Sequence, residues 1–344
     1  MIIDSCIHPL CAHKDDLRRY MREPWKSRSF PGPERYFYPA PSGEYVAEVD
    51  GEAGESVAAD PKKLSRAIFK KEGVAKAILV PLTRGLLPDL DQSMAICRAT
   101  NDWLADQWLG QEEGGEFVGT IRIDPREPEQ AIAEIKRWAS HPKMVQIAVP
   151  LQAQRPYGNR DYLPVWQAAA EHGLPVLIQS DGGSSIDYWP SPVGYYKLFL
   201  EYATLYPINF SYHLVSLIAE GVFDRLKDFK IIFGDGGADL LAPLIWRMDK
   251  DWRPTRSETP WNSKMPSDYL RSHVRFLSNR FEGPVGQEDW KTWLPVSEMS
   301  DLTLFASKFP MWQYDPPSAA FQSLGNDMRR GILATNSQAF YGFA

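Results

Sequence analysis

Near its C-terminus the chain reads Leu302-Thr303-Leu304-Phe305-Ala306-Ser307-Lys308-Phe309-Pro310-Met311-Trp312. The run over 302–306 is almost entirely apolar, and Pro310 follows it at a point where a strand gives way to a loop. A strand that is buried on both faces has this continuous apolar character, because helices cover both sides of a parallel sheet. The stretch therefore predicts a buried strand of an α/β fold, with the charged Lys308 just past its end.

Seven other short runs have the same character and alternate with helical patterns. The helical stretches include Asp91–Trp108, Pro128–Ala139, Asp161–His172 and Leu214–Leu226. Eight alternating units predict a (β/α)8 TIM barrel that forms a single domain over 1–344. The last predicted strand is Leu302–Ala306, within the run quoted above. The other seven are Ile2–Asp4, Ala75–Val80, Phe117–Ile123, Val145–Val149, Pro175–Gln179, Lys230–Gly234 and Val274–Leu277.

Three long segments leave the predicted strands at the end where barrels carry their active sites. The first is an insertion after strand 1 over residues 9–73, and its aromatic, proline-rich part Tyr20–Pro41 is a candidate docking surface. The others are Asp181–Pro207 and Trp252–Tyr269. Loops of this length in a compact domain are usually functional. We therefore expect a pocket at the C-terminal strand ends, beneath these three segments.

Composition limits the kinds of partner. The net charge of −6 argues against nucleic acid, and no apolar run reaches the ~18 residues that a membrane helix needs. The three cysteines do not suggest a disulfide framework, and the N-terminus lacks the pattern of a signal peptide. The sequence thus predicts a cytoplasmic protein that acts on a small-molecule substrate, without nucleic acid or membrane partners.

Several motifs together resemble the amidohydrolase-related family, which includes aminocarboxymuconate-semialdehyde decarboxylase. They are the run at 302–312, Ser216-Leu217-Ile218, Gly221–Arg225, Lys230–Gly237 and the closing Ile332–Gly342. The resemblance covers nearly the whole chain. It implies a barrel that carries out hydrolysis or non-oxidative decarboxylation of a small carboxylated or cyclic substrate, with a metal ion at the strand ends.

The chain departs from this family at the metal-binding positions. The family carries His-x-His on strand 1, His on strand 5, His or Glu on strand 6, and Asp and then His after strand 8. At these places the chain has Cys6 with His8, Gln179, Asp235, Lys308 and Met311. Only His8 is unchanged, although Cys6 and Asp235 are also chemically able to bind a metal.

Lys308 bears most directly on the expected cofactor. Two like charges at ~4 Å repel by several kcal/mol at an effective dielectric constant of ~20, and Gln179 is a poor ligand for zinc. The sequence therefore predicts that no cofactor is bound and that Lys308, paired with Asp235, replaces the ion. The alternative is Zn²⁺ or a similar divalent ion, with Cys6, His8 and Asp235 as its ligands.

Four residues are the candidates for catalysis if the protein is an enzyme. Lys308 would act as an electrostatic stabiliser or, with a lowered pKa, as an amine nucleophile. Asp235 would be an acid or base, and His8 a second proton carrier. His213 begins a predicted helix at a position where the family tends to have His, which implies a side chain that faces the substrate.

Two other readings of the same residues stay open. The altered positions Cys6, Gln179, Lys308 and Met311 within an intact barrel are also what a catalytically inactive subunit would have, as part of a hetero-oligomer with an intact amidohydrolase paralogue. A third possibility is a protein that binds a ligand without converting it. We expect a homo- or hetero-oligomer with a related amidohydrolase.

Overall fold

The computed structural model describes residues 1–13, 15–27, 56–82, 87, 89–180, 194, 196–235, 238–279, 288–311 and 314–343. Within these ranges, eight parallel strands form one sheet in which each strand pairs with the next along the chain. The sequence prediction of a (β/α)8 barrel is confirmed. The strands are β1 Ile2–Ile7, β2 Val74–Leu79, β3 Glu116–Arg122, β4 Met144–Pro150, β5 Val176–Gln179, β6 Ile231–Phe233, β7 Val274–Leu277 and β8 Thr303–Leu304.

Backbone hydrogen bonds between the first and last strands close the barrel. Ser5 N donates to Phe305 O at 2.7 Å, and Lys308 N donates to Cys6 O at 3.1 Å. Regular pairing of β8 with β7 covers only Thr303 and Leu304. The residues after β8 therefore continue along β1, and this brings Lys308 beside the end of β1.

Helices cover the outside of the barrel between successive strands. Asp89 caps the first long helix by accepting a hydrogen bond from Gln92 N at 3.0 Å, as an N-terminal cap should. The helices are Pro61–Ser65, Leu90–Gln107, Pro128–Trp138, Leu163–Glu171, Phe199–Leu205, Asn209–Ala219, Val222–Arg225, Ala238–Thr255, Pro266–His273, Trp290–Val296, Met299–Leu302, Asn326–Arg330 and Asn336–Tyr341.

The predicted helix Leu214–Leu226 differs from the structure. It begins earlier, at Asn209, and is interrupted at Gly221, whose φ of +68° lies in the left-handed region. The ideal Cβ position on Gly221 would be 2.1 Å from the Trp261 ring, so no larger side chain fits there without movement. A left-handed glycine at this place ends one helix and turns the chain into the next.

An apolar cluster fills the barrel interior. The helix Asn336–Tyr341 closes its N-terminal end, where Tyr341 Oη donates to Gln146 Oε1 at 2.7 Å. The opposite, C-terminal end is where the strand termini and the candidate site residues lie. The interior residues include Cys6, Ile78, Val80, Val118, Ala148, Leu177, Ile232, Leu277, Leu304, Ala306 and Phe340.

The long segments are described only in part. In the insertion over 9–73, helical turns run over Leu17–Tyr20 and over 57–71, while residue 14 and residues 28–55 lie outside the described part. Most of Asp181–Pro207 also lies outside it, and the candidate docking segment Tyr20–Pro41 is described only up to residue 27. The segment Trp252–Tyr269 is shorter than predicted, because helices extend to Thr255 and restart at Pro266. Within the described ranges, no helix combines the length and the apolarity that crossing a membrane requires.

Candidate functional site

Four polar side chains meet at the C-terminal end of the barrel. His8 follows β1, Gln179 ends β5, Asp235 lies just past β6, and Lys308 lies beyond β8. All four are buried, with at most 4% of each residue exposed. The C-terminal ends of parallel barrel strands face one common mouth, which is where barrel enzymes place their chemistry.

Lys308 lies at the centre of this group. Its Nζ is 2.7 Å from Asp235 Oδ1 and donates a hydrogen bond to Gln179 Oε1, also at 2.7 Å. The side chain is 1% exposed, so the ammonium depends on these partners rather than on water. A charge-assisted pair with this geometry holds the lysine as a cation at the strand ends.

The backbone at Lys308 aims its side chain into the barrel. Its φ of +59° is uncommon for a residue with a side chain and costs about 1–3 kcal/mol unless the surroundings enforce it. Two hydrogen bonds hold it there: Lys308 N donates to Cys6 O at 3.1 Å, and Met311 N donates to Lys308 O at 2.8 Å. Strain of this kind is typical of functional positions.

Asp235 receives several hydrogen bonds. Its Oδ2 accepts from Gln179 Nε2 and from Ser180 N, both at 2.7 Å, and from the Ser180 hydroxyl. Burial opposes its ionisation, but the Lys308 ammonium and the Ser180 donors outweigh burial, so the pKa of Asp235 lies below its ordinary value. Asp235 is therefore an anion at neutral pH.

His8 and Cys6 complete the site. His8 Nδ1–H donates to Val80 O at 2.8 Å, which leaves Nε2 as an acceptor, 3.7 Å from Cys6 Sγ. Burial and the charge of Lys308 lower the pKa of His8 to about 3, and burial raises the pKa of the Cys6 thiol to about 12. Near neutral pH, His8 is thus a neutral imidazole and Cys6 a protonated thiol.

Three further residues belong to the site and were not predicted from the sequence. Arg122, at the end of β3, is 1% exposed, and its charge contributes to the low pKa of His8. Ser180 binds Asp235 as described above, and Asn279 Nδ2 lies 3.4 Å from Asp235 Oδ1. All three are polar residues at or just past the ends of apolar runs, and that position was the available signal.

The structure does not bring His213 together with the other three catalytic candidates. Its Nε2–H donates to Leu151 O at 2.7 Å, and its Nδ1 accepts from Tyr157 N at 3.1 Å. Both ring nitrogens are therefore engaged by the backbone of the loop after β4. Burial lowers the pKa of His213 to about 4, so this histidine is a neutral residue that positions that loop.

The predicted metal ligands Cys6, His8 and Asp235 lie close together but do not fit an ion as they are arranged. Lys308 Nζ occupies the place beside Asp235 Oδ1 that an ion held by these three residues would need. Across the described part of the chain, no group of three or more His, Cys, Asp or Glu side chains is arranged to hold a metal.

Known proteins share this architecture. The 5-carboxyvanillate decarboxylase of Novosphingobium aromaticivorans, solved with manganese and 3-methoxy-4-hydroxy-5-nitrobenzoic acid, has a TM-score of 0.69 at 21% identity, over 99% of this chain and 97% of its own. A dihydroxybenzoic acid decarboxylase of Polaromonas, solved with manganese and 2-nitroresorcinol, has a TM-score of 0.69 at 18% identity, over 99% and 96%. These similarities show that the chain shares the fold of the two decarboxylases.

One curated protein is similar over part of its length. Decarboxylase orsB of Emericella nidulans is 25% identical over 171 residues, which are 45% of this chain and 48% of that protein. The match therefore spans about half of the relative.

These comparisons correct the prediction about the cofactor. Both solved decarboxylases contain manganese, so the expectation that no cofactor is bound is wrong. That expectation relied on the repulsion between Lys308 and an ion, whereas both of these relatives were solved with manganese bound. The alternative of a divalent metal ion is the one that the comparisons support.

The motifs that suggested a family extend over most of the chain, and a family model tests them directly. The model described as Amidohydrolase matches residues 79–343, which run from the end of β2 to the closing helix and include Gln179, Asp235 and Lys308. The chain belongs to the amidohydrolase family.

Proposed function

We propose that the protein is a decarboxylase of a small aromatic carboxylate. One observation carries the proposal: Lys308 is a buried ammonium held by Asp235 and Gln179 at the C-terminal strand ends. The chain's similarity to a curated decarboxylase and to solved decarboxylases of aromatic acids supports decarboxylation rather than hydrolysis as the proposed reaction.

The charges of the site suit an anionic substrate. Lys308 and Arg122 are buried cations, Asp235 is an anion, and His8 and Cys6 are neutral. Buried cations favour a carboxylate, because a low-dielectric environment strengthens the attraction between opposite charges. We assign the binding of the substrate carboxylate to Arg122, and the contact with a polar ring substituent to the unprotonated Nε2 of His8.

Lys308 supplies the proton in this proposal. The bond between the ring carbon and the carboxylate breaks, and its electron pair remains on the ring carbon. That carbon takes a proton from Lys308 Nζ while CO₂ leaves, and the neutral amine then recovers a proton from water. Asp235 pairs with Lys308 and orients its Nζ before the reaction. Gln179, with Oε1 accepting from Lys308 and Nε2 donating to Asp235, fixes the distance between them.

The test is release of CO₂ from a panel of aromatic carboxylates. We expect the wild-type protein to release it, and Lys308→Arg, which keeps the charge but gives up protons far less readily, to be slower by about 10²–10⁴-fold. Lys291→Met removes an exposed lysine paired with Glu288 and should leave the rate unchanged. Absence of CO₂ release from every compound, with or without added manganese, would contradict the proposal.

The manganese of the relatives suggests a divalent ion as a partner of this site, and we propose it with Cys6, His8 and Asp235 as ligands. Admitting an ion requires Lys308 Nζ to leave Asp235 Oδ1, so we assign no step of the reaction to it. Electron paramagnetic resonance of free Mn²⁺ tests this: we expect wild-type protein to deplete the signal, and His8→Asn to do so at least about tenfold less effectively. Equal depletion by both proteins would rule out this site.

A specific surface favours the second candidate function, a subunit of an oligomer. Near the barrel mouth, the exposed side chains on the helices around residues 198–212 are largely apolar. We call this set the 198–212 face: Leu198 at 56% exposure, Leu200 at 73%, Leu205 at 42%, Ile208 at 39% and Tyr212 at 49%. Several large apolar side chains exposed along neighbouring helices are typical of protein–protein contacts. It supports assembly with a second chain, whether identical or a related amidohydrolase.

A further inference from the structure

Asn279 has a buried side-chain amide, and the oxygen of that amide has no hydrogen-bond partner among the described residues. It lies two residues past the end of β7, on the same side of the barrel as Asp235 and Lys308, and it is 2% exposed. Its Nδ2 lies 3.4 Å from Asp235 Oδ1.

The orientation of this amide follows from its neighbour. A rotation that exchanged Oδ1 and Nδ2 would place an acceptor against the carboxylate of Asp235, which is itself only an acceptor when ionised. Nδ2 must therefore face Asp235, and Oδ1 must point away from it. A buried acceptor without a hydrogen-bond partner is unfavourable, and such groups are unusual in a folded interior.

We propose that Asn279 determines substrate specificity by accepting a hydrogen bond from a hydroxyl group on the ring of the substrate. The inference rests on the proposed function, since it places a ring beside Asp235 and Lys308. Oδ1 can only accept, so the group it recognises must carry a hydrogen atom. A ring hydroxyl meets this requirement, whereas a methoxy group or an unsubstituted carbon leaves Oδ1 unpaired.

The preference for a substrate with a ring hydroxyl depends on how unfavourable it is to leave Asn279 Oδ1 unpaired. Sites built around a buried hydrogen-bonding group reject analogues that lack the complementary group much more strongly than apolar pockets reject a missing methylene. We therefore expect a hydroxybenzoate to bind at least about tenfold more tightly than the matching methoxybenzoate or benzoate.

The experiment measures dissociation constants by calorimetry for 2- and 3-hydroxybenzoate, their methoxy counterparts and benzoate. The proteins are wild type, Asn279→Leu and the control Asn262→Leu. Asn262 is matched because it is also a buried asparagine with an unpartnered side-chain amide, but it lies before the Pro266–His273 helix and away from the strand ends. We expect the hydroxyl preference in wild type and in Asn262→Leu, and less than about threefold preference in Asn279→Leu.

Each outcome decides the inference. Equal binding of hydroxy and methoxy compounds by wild type overturns it, and so does a full preference retained by Asn279→Leu. If Asn279→Leu does not fold, Asn279→Ala, which needs less space, replaces it under the same criteria. A failure of the proposed function is recognised separately, because wild type would then bind none of the carboxylates and release no CO₂.

Discussion

Lys308 and Asp235 stabilise the protein only as a pair. Both are almost fully buried, and their charges are 2.7 Å apart. The Lys308→Met substitution leaves Asp235 as a buried carboxylate without its counter-ion, which should lower the free energy of unfolding by ~3–5 kcal/mol. Adding Asp235→Asn should recover part of this loss, because no uncompensated charge then remains. Urea unfolding of the two variants and wild type measures both effects.

Lys291→Met is the matched control for this prediction. Lys291 pairs with Glu288 at 2.6 Å, but both side chains are largely in solvent, where such a pair contributes little. We expect its free energy of unfolding to stay within ~0.5 kcal/mol of wild type. A change just as small for Lys308→Met would mean that Lys308 is solvated and that the pair does not matter for stability.

His213 should make the protein sensitive to mild acid. Its pKa is about 4 in the folded protein, because burial disfavours the charged ring, against about 6.5 in the unfolded chain. Between these values the unfolded state binds more protons, so stability must fall as the pH falls from 6.5 to 4, by up to about 3 kcal/mol from this group.

The His213→Gln variant isolates this contribution. Urea unfolding at pH 7 and at pH 4.5 gives the pH dependence for both proteins, and the other buried histidines contribute equally to each. We expect wild type to lose more stability than His213→Gln over this interval. Identical losses would mean that the ring is protonated in the folded protein or is accessible to water.

At the scale of elements, Asp4 joins the first and last strands beside the site. Its Oδ1 accepts from Cys6 N at 3.2 Å on β1 and from Ser307 N at 3.0 Å beyond β8. Asp4→Leu has a similar volume but no acceptor, and leaving both buried N–H groups unpaired should cost on the order of 2–4 kcal/mol in urea unfolding. Since Ser307 precedes Lys308, the same change should also slow CO₂ release.

Asp4→Asn separates the hydrogen bonds from the charge. The amide oxygen still accepts from both N–H groups, so we expect stability within about 1 kcal/mol of wild type and little change in rate. If the Asn and Leu variants were equally destabilised, the Asp4 carboxylate would stabilise the protein through its charge and not through its hydrogen bonds to the first and last strands.

The barrel could be predicted because its strands are apolar runs with helices between them, and β7 has the predicted bounds Val274–Leu277. The last strand shows where such patterns fail. Its predicted start, Leu302, ends a short helix instead. Phe305 leaves the regular pairing because its N–H donates to Ile332 O at 3.1 Å. Hydrogen bonds to distant segments of this kind have no local sequence signal.

The site was predictable in position more than in detail. Strand ends meet in a barrel, so the sequence could indicate that Lys308, Asp235 and His8 converge. The sequence indicates Gln179 only as a poor metal ligand, because the hydrogen bonds that its amide donates to Asp235 and accepts from Lys308 depend on the folded structure. The sequence does not distinguish His213 from the other catalytic candidates, yet both of its ring nitrogens form hydrogen bonds with the backbone of Leu151 and Tyr157.

The two ends of the barrel differ in structure and in the residues that they carry. The closing helix seals the N-terminal end, and the charged groups collect at the other. The 198–212 face lies on helices that follow β5, so it borders the end that carries the site. A partner bound there would cover apolar surface and would also limit access of water to the barrel mouth.

Self-association through the 198–212 face is therefore our prediction for the intact protein. Replacing Leu200 and Leu205 together by Glu places two charges on this surface, and desolvating them on contact is unfavourable. Sedimentation velocity should show wild type as an oligomer and the double variant as a monomer with unchanged circular dichroism. Val296→Glu, at a residue with 66% exposure outside the face, should sediment as wild type. A wild-type monomer that still forms one species with a co-expressed related amidohydrolase would favour the hetero-oligomer, and a monomer in both experiments would contradict assembly through this face.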